Sequence, residues 1–130
     1  MARVISVANQ KGGVGKTTTC VNLCASLARE KKRVLLCDTD PQGNATTAMG
    51  ISKNRVKNNI YDVISGFCPA KAAIVATKFG DVLPANNVLS GAGIELVNTE
   101  NREYVLKSTL EGLQEDYDYI LIDCPPSLEM

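Results

Sequence analysis

The seven residues from Lys11 to Thr17, KGGVGKT, constrain the fold of this chain more than any other stretch. Three glycines fall within four positions, Gly12, Gly13 and Gly15, which suits neither a helix interior nor a strand interior. The residues before them, 3–8 (RVISVA), are a short β-branched run. Those after them place Cys20, Leu23, Cys24, Leu27 and Ala28 at helical spacing, which predicts a helix from Thr17 to about Lys31. A tight loop between a strand and a helix follows. Such a loop can turn its backbone N–H groups inward with no side chain in the way, and the helix behind it adds a positive N-terminal end. Both features suit a phosphate group. Six specified residues at about 7% each, over about 120 starting points, coincide by chance on the order of once in 10⁵ chains. An accidental glycine-rich turn is therefore a weak explanation.

The pattern G-x-x-x-x-G-K-S/T assigns Lys16 to the β- and γ-phosphates of a nucleotide and the Thr17 hydroxyl to Mg²⁺. The candidate phosphate contacts are Lys11, Gly12, Gly13, Val14, Gly15, Lys16, Thr17 and Thr18. The chain departs from the pattern in one place. The leading glycine would fall at position 10, where Gln10 stands, and beside it is a second lysine, Lys11.

The rest of the chain alternates strands and helices. Residues 33–38 (RVLLCD) read as a second buried strand, and residues 38–44 (DTDPQGN) as a loop by their Asp, Pro, Gly and Asn content. A helix covers part of 60–65, and residues 81–86 (DVLPAN) make a third strand stopped by Pro84. Residues 90–97 fit helix or strand. Residues 102–115 are helical, with Leu106, Leu110 and Leu113 on one side, and 117–127 (YDYILIDCPPS) form a fourth strand running into a Pro-Pro turn. Apolar strands without alternation, separated by helices, predict an α/β fold whose mainly parallel sheet is flanked by helices on both faces. Ligands of such sheets bind at the carboxyl ends of the strands. All three chemically loaded segments, 11–18, 38–44 and 123–127, are expected there.

Composition narrows the function classes. With 45% hydrophobic and 22% charged residues, the 130-residue chain reads as globular. No apolar run approaches the ~18 residues of a membrane span, and the N-terminus carries no secretory pattern, so no membrane association and a cytoplasmic location are expected. Fourteen basic and fourteen acidic residues cancel, leaving no overall charge to attract nucleic acid. The short basic runs 29–33 and 53–57 read as a solvated helix end and a weak candidate for phosphate contact. Five cysteines without a C-x-x-C, and no histidine, argue against a disulfide framework, a zinc site or a Cys/His nucleophile. Cys20 and Cys24 are four apart and could share a helix face.

Asp123 ends an apolar strand, the place of a carboxylate that holds Mg²⁺ directly or through water. By itself that signal is weak; beside the phosphate loop it is strong. Asp38 and Asp40 share one loop. Either could cap backbone N–H groups of a turn, and Asp40 could instead face a γ-phosphate and orient the attacking water.

Taken together, KGGVGKTT, DTDPQGN and LIDCPPS resemble the ParA/Soj partition ATPases, a group with a deviant Walker A motif that also includes MinD. The resemblance covers essentially the whole chain and implies a P-loop NTPase fold binding ATP and Mg²⁺. It also implies a homodimer formed with ATP, in which Lys11 crosses to the partner's phosphates. By the same match, Lys16 and Thr17 contact phosphate and Mg²⁺, Asp40 is the hydrolysis residue of switch I, and Asp123 is the Walker B aspartate. Catalysis would rest on Lys11, Lys16 and Asp40, metal binding on Thr17 and Asp123. Cys124 does not match the cluster ligands of the nitrogenase iron-protein relatives, so no iron–sulfur cluster is expected. Family members are considerably longer, so residues 1–130 are expected to be the N-terminal part of one ParA-like P-loop ATPase domain, cut after the Walker B strand. The remainder would hold the adenine contacts and a surface binding DNA non-specifically, with a ParB-like activator as partner. An isolated piece of this kind is expected to leave YILI (119–122) only partly buried. Alternative readings are a MinD-like membrane-associated positioning ATPase, against which DTDPQGN argues, a small-molecule kinase, against which Lys11 argues, and an inactive nucleotide-binding fragment.

Overall fold

A computed structural model describes residues 2–7, 15–39, 43–52, 56–64, 66, 68–85 and 106–123. Its five strands are β1 (Arg3–Val7), β2 (Val34–Asp38), β3 (Val75–Thr77), β4 (Gly80–Leu83) and β5 (Tyr119–Asp123), in the sheet order β1-β5-β2-β4-β3. The first four in that order pair parallel, and only β3 runs antiparallel, to β4. The helices are α1 (Gly15–Arg29), α2 (Asn44–Ala48), α3 (Ile60–Ile64) and α4 (Ala70–Ala73), and residues 106–111 are also helical.

All five residues of β2 are buried, which explains why VLLCD carries no polar alternation: both faces of this strand are covered. Alternate positions feed two cores. Leu35 and Cys37, with Ile120, Ile122 and Leu83, face α3, α4 and the 106–113 region through Tyr61, Ile64, Ala73, Leu110 and Leu113. Val34 and Leu36, with Leu121 and Val82, face α1 and α2 through Cys20, Cys24, Ala45 and Met49. The four described cysteines are thiols, with Cys20, Cys24 and Cys37 buried. The Cys24 thiol donates to the Phe79 carbonyl at 3.2 Å, and burial pushes its pKa up to about 11, so it behaves as a small apolar group. Leu36 lies in the centre of the sheet with no exposure. Leu36→Ala is expected to cost about 3 kcal/mol, read as a lower denaturant midpoint at unchanged slope.

Sequence and structure differ in several places, among them helix α4, for which the sequence carries no signal. The strand β3 was not anticipated, because three residues after a helical turn carry no periodicity. It is held as a hairpin on β4, where the Thr77 hydroxyl donates to the Gly80 carbonyl at 2.6 Å. The helix α2 falls partly in the segment read as loop. The expected 102–115 helix is helical over 106–111 and then continues in turns to 116, while 101–105 and the ambiguous 90–97 lie outside the described residues. Finally, the expectation for YILI is corrected. Ile120, Leu121 and Ile122 are buried, because β5 lies between β1 and β2 rather than at a margin. The strands with exposed positions are the two at the margins of the sheet, β1, whose Val4 is 42% exposed, and β3, whose Val75 is 36% exposed.

At the amino ends of the strands, Arg33 ties β2 to β5. Its backbone N–H donates to the Asp118 carboxylate at 2.9 Å and its guanidinium lies 3.2 Å from the other oxygen. These bonds hold the Asp118 carboxyl below the usual range. Both groups are exposed, so the pair adds register more than stability.

Candidate functional site

The carboxyl ends of three strands lie level. Val7 of β1 pairs with Asp123 of β5, and Asp123 pairs with Asp38 of β2. The segment following β1, the aspartate ending β5 and the loop following β2 therefore issue from one edge of the sheet, as the sequence predicts. Helix α1 opens at Gly15, so Gly15, Lys16, Thr17 and Thr18 form its first turn. Cys20 and Cys24 press this helix onto the sheet, while Thr18 and Thr19 are exposed. The candidates Lys11, Gly12, Gly13, Val14 and Asp40 lie outside the described residues.

Asp123 is fully buried at the end of β5. A buried carboxylate at the carboxyl edge of the sheet is an oxygen donor of the kind a hard divalent cation takes.

Asp38 is also fully buried, and its role is visible. One oxygen accepts the Thr46 backbone N–H at 2.8 Å and the Thr46 hydroxyl at 2.7 Å. The same hydroxyl accepts the Ala85 N–H at 3.0 Å. Thr46 thus joins the end of β2 to the chain leaving β4, and Asp38 satisfies an N–H in the first turn of α2 that has no partner within the helix. Gly43, in the left-handed region at φ 66°, lets the chain turn into that helix. The capping that the sequence offered for Asp38 is built here. Thr46→Val keeps the volume and removes the hydroxyl. It is expected to cost about 1.5–3 kcal/mol in denaturant unfolding, with Thr46→Ser restoring most of the loss.

Sequence reasoning missed Thr39, Thr46 and Tyr61. The Thr39 N–H and hydroxyl both donate to the Asp123 carbonyl, at 3.2 and 2.8 Å, and the Tyr61 phenol donates to the Thr39 carbonyl at 3.0 Å. One usable signal was Asn59-x-x-Asp62, a reciprocal cap: the Asn59 side chain accepts the N–H groups of Tyr61 and Asp62, and Asp62 accepts that of Asn59. At the opposite end of the sheet a hollow of about 520 Å³ is lined by Arg33, Lys71, Asp81, Asp116 and Tyr117 among others. Lys71 and Asp116 pair at 3.5 Å, and Tyr117 donates to Asp81 at 2.7 Å.

A mainly parallel sheet, a Gly-Lys-Thr sequence opening the first helix, and a buried aspartate ending the strand beside β1 define a P-loop NTPase fold. The chain belongs to the AAA domain family AAA_31, whose model matches residues 2–130. It is 54% identical to the sporulation initiation inhibitor protein Soj of Bacillus subtilis over 98% of this chain and 51% of that one. It is 49% identical to the chromosome partitioning protein ParA of Caulobacter vibrioides over 98% of this chain and 49% of that one. Among solved structures, cobyrinic acid a,c-diamide synthase of Mycobacterium smegmatis with bound ATP analog and magnesium superposes with a TM-score of 0.87 at 43% identity, covering 97% of this chain and 52% of that chain. The chain spans about half the length of the curated relatives it matches. Among the described residues, no helix is long and apolar enough to cross a membrane.

Proposed function

We propose that the intact protein is a Mg²⁺-dependent ATPase that switches by ATP-driven dimerisation and acts in chromosome or plasmid partitioning. The observation that carries this reading is the level set of strand ends, Val7, Asp123 and Asp38, which brings the segments after β1, β2 and β5 to one edge. Similarity to Soj and ParA supports the partitioning role, and the superposed structure holding an ATP analog and magnesium supports the ligands.

In this reading the residues divide the work. The N–H groups of Gly12 to Thr18 and the Lys16 ammonium bind the β- and γ-phosphates, and the positive end of α1 favours their charge. Thr17 and Asp123 hold Mg²⁺, which draws charge from the phosphate oxygens when bound. Asp40 orients a water molecule toward the γ-phosphorus, so that the bond to the bridging oxygen breaks and ADP and phosphate leave. Lys11 reaches the phosphates of a second protomer. A ParB-like activator and non-specific DNA are the partners, DNA through residues outside this chain, and the site of action is the nucleoid in the cytoplasm.

The test is sedimentation of the intact protein with ATP, with ADP and without nucleotide, alongside release of inorganic phosphate. ATP-specific dimers and Mg²⁺-dependent phosphate release are expected. A monomer in all three conditions rejects the switch, and phosphate passing to an added metabolite rather than to water selects the kinase reading.

A further inference from the structure

We propose that the hollow at the amino ends of β2, β4 and β5 is a second binding site, separate from the nucleotide edge, for a zwitterion of about dipeptide size with an apolar body. Its volume of about 520 Å³ falls within the range of about 300–1,000 Å³ that small-molecule sites occupy. Its walls are set by the sheet. Val34 opens β2, Gly80 opens β4, and Tyr117 stands just ahead of β5.

Burial divides the lining into a floor and a rim. The floor is made of the buried side chains of Val34, Leu113 and Tyr117, with half-buried Ile74 beside them. Half-buried Asp81 adds one carboxylate at this depth, and it accepts the Tyr117 phenol at 2.7 Å. A phenol supplies a single hydrogen, so the carboxylate keeps capacity for a further donor. Among the described residues, no lysine or arginine pairs with it. The rim is exposed and mainly cationic. The Arg33 guanidinium is already engaged, by Asp118 at 3.2 Å and the Glu115 carbonyl at 3.4 Å. Lys71 meets Asp116 at 3.5 Å with the two side chains 72% and 47% exposed, a loose pair that an incoming carboxylate can replace. Lys32 forms no ion pair among the described residues.

This layout selects the ligand. A simple anion would meet the Asp81 carboxylate at depth, and a simple cation would have to pass Lys32, Arg33 and Lys71. A molecule with an ammonium group at one end and a carboxylate at the other suits both levels. Its ammonium binds Asp81, its carboxylate binds Lys32 and Lys71, and an aliphatic side chain covers Val34, Ile74 and Leu113. Both polar contacts are charge-assisted, which makes them the strong ones available to a small ligand.

The test titrates the intact protein with glycyl-leucine by calorimetry. One saturable site per chain with a Kd below about 10 mM is expected. N-acetyl-glycyl-leucine lacks the ammonium and glycyl-leucinamide lacks the carboxylate. Each should bind about tenfold or more weakly, since each loses a charge-assisted bond. Asp81→Asn keeps an acceptor for Tyr117 and should weaken glycyl-leucine by about tenfold. Lys32→Gln changes an exposed side chain that makes no ion pair, so folding is spared, and it should weaken binding about threefold. Absence of saturable binding overturns the proposal. So do equal affinities for the three peptides, or parental affinity in Lys32→Gln and in an Asp81→Asn that unfolds at the parental temperature. If Asp81→Asn does not fold, the blocked peptides and Lys32→Gln decide the matter by themselves.

Discussion

Lys16→Ala is expected to weaken ATP binding about a hundredfold or more, whereas Lys11→Ala leaves binding by the monomer nearly intact and removes dimerisation and stimulated hydrolysis. The two lysines stand five positions apart in the same loop, yet only Lys16 occupies the place from which the pattern reaches the phosphates of its own chain. It also falls in the first turn of α1, whose N–H groups point the same way. A charge-assisted contact is worth about 1.5–3 kcal/mol, and Lys16 serves two phosphates, which gives the hundredfold figure. Lys11 lies before the helix and, in the proposed dimer, serves the neighbour. Groups supplied in trans to a P-loop site are worth about 10³–10⁵ in rate. Calorimetry with ATP separates binding from turnover, and sedimentation with ATP reads the dimer. Equal losses of affinity in both variants would place Lys11 in its own chain's site and remove the trans role.

The strand ends were legible because buried parallel strands advertise themselves. VLLCD and YILID are apolar without alternation, and each stops at a polar residue where the sheet stops. Two such stops and the glycine-rich segment after the first strand, read with the rule that ligands collect at carboxyl ends, marked the site's edge before any register was known. The register then supplied what no single segment contains: β5, last in sequence, lies between the first two strands. Pairing order is a long-range property, and its neglect is why YILI was expected to be only partly buried while Ile120, Leu121 and Ile122 are found in the core.

The supports around the site were less legible for a different reason. Thr39, Thr46 and Tyr61 act through hydrogen bonds to residues 84, 8 and 22 positions away, and nothing in a local pattern marks them. The short helix α2 was hidden in the same way. NATTA has weak helical preference on its own, and its first turn is secured by a carboxylate from a different element, Asp38. For Asp38 the sequence offered the capping of a turn without the group it caps, and the 2.7 and 2.8 Å contacts identify that group as Thr46.

Asp40→Ala is expected to bind ATP at close to the parental affinity, to accumulate as an ATP-bound dimer, and to turn over about a hundredfold or more slowly. In the proposed site the phosphates are held by the loop and Lys16 and the Asp40 carboxylate meets only water, so its loss would remove no ground-state contact and would relieve some repulsion with the γ-phosphate. General-base or water-orienting groups contribute about 10²–10⁴ in rate, and that contribution is what the variant gives up. The fold should tolerate the change. The buried carboxylate that secures α2 is Asp38, two residues earlier, and the bonds of Thr39 to the Asp123 carbonyl and from Tyr61 involve only groups that remain in the variant. Thermal unfolding should therefore match the parent, while Asp38→Ala, which strips the Thr46 N–H and hydroxyl of their acceptor, should unfold several degrees earlier. Size-exclusion chromatography with ATP reads the trapped dimer, and phosphate release reads the rate. Parental turnover in Asp40→Ala would return Asp40 to the role of a turn residue before Pro41, and the water-orienting group would then have to come from another segment at the same edge of the sheet.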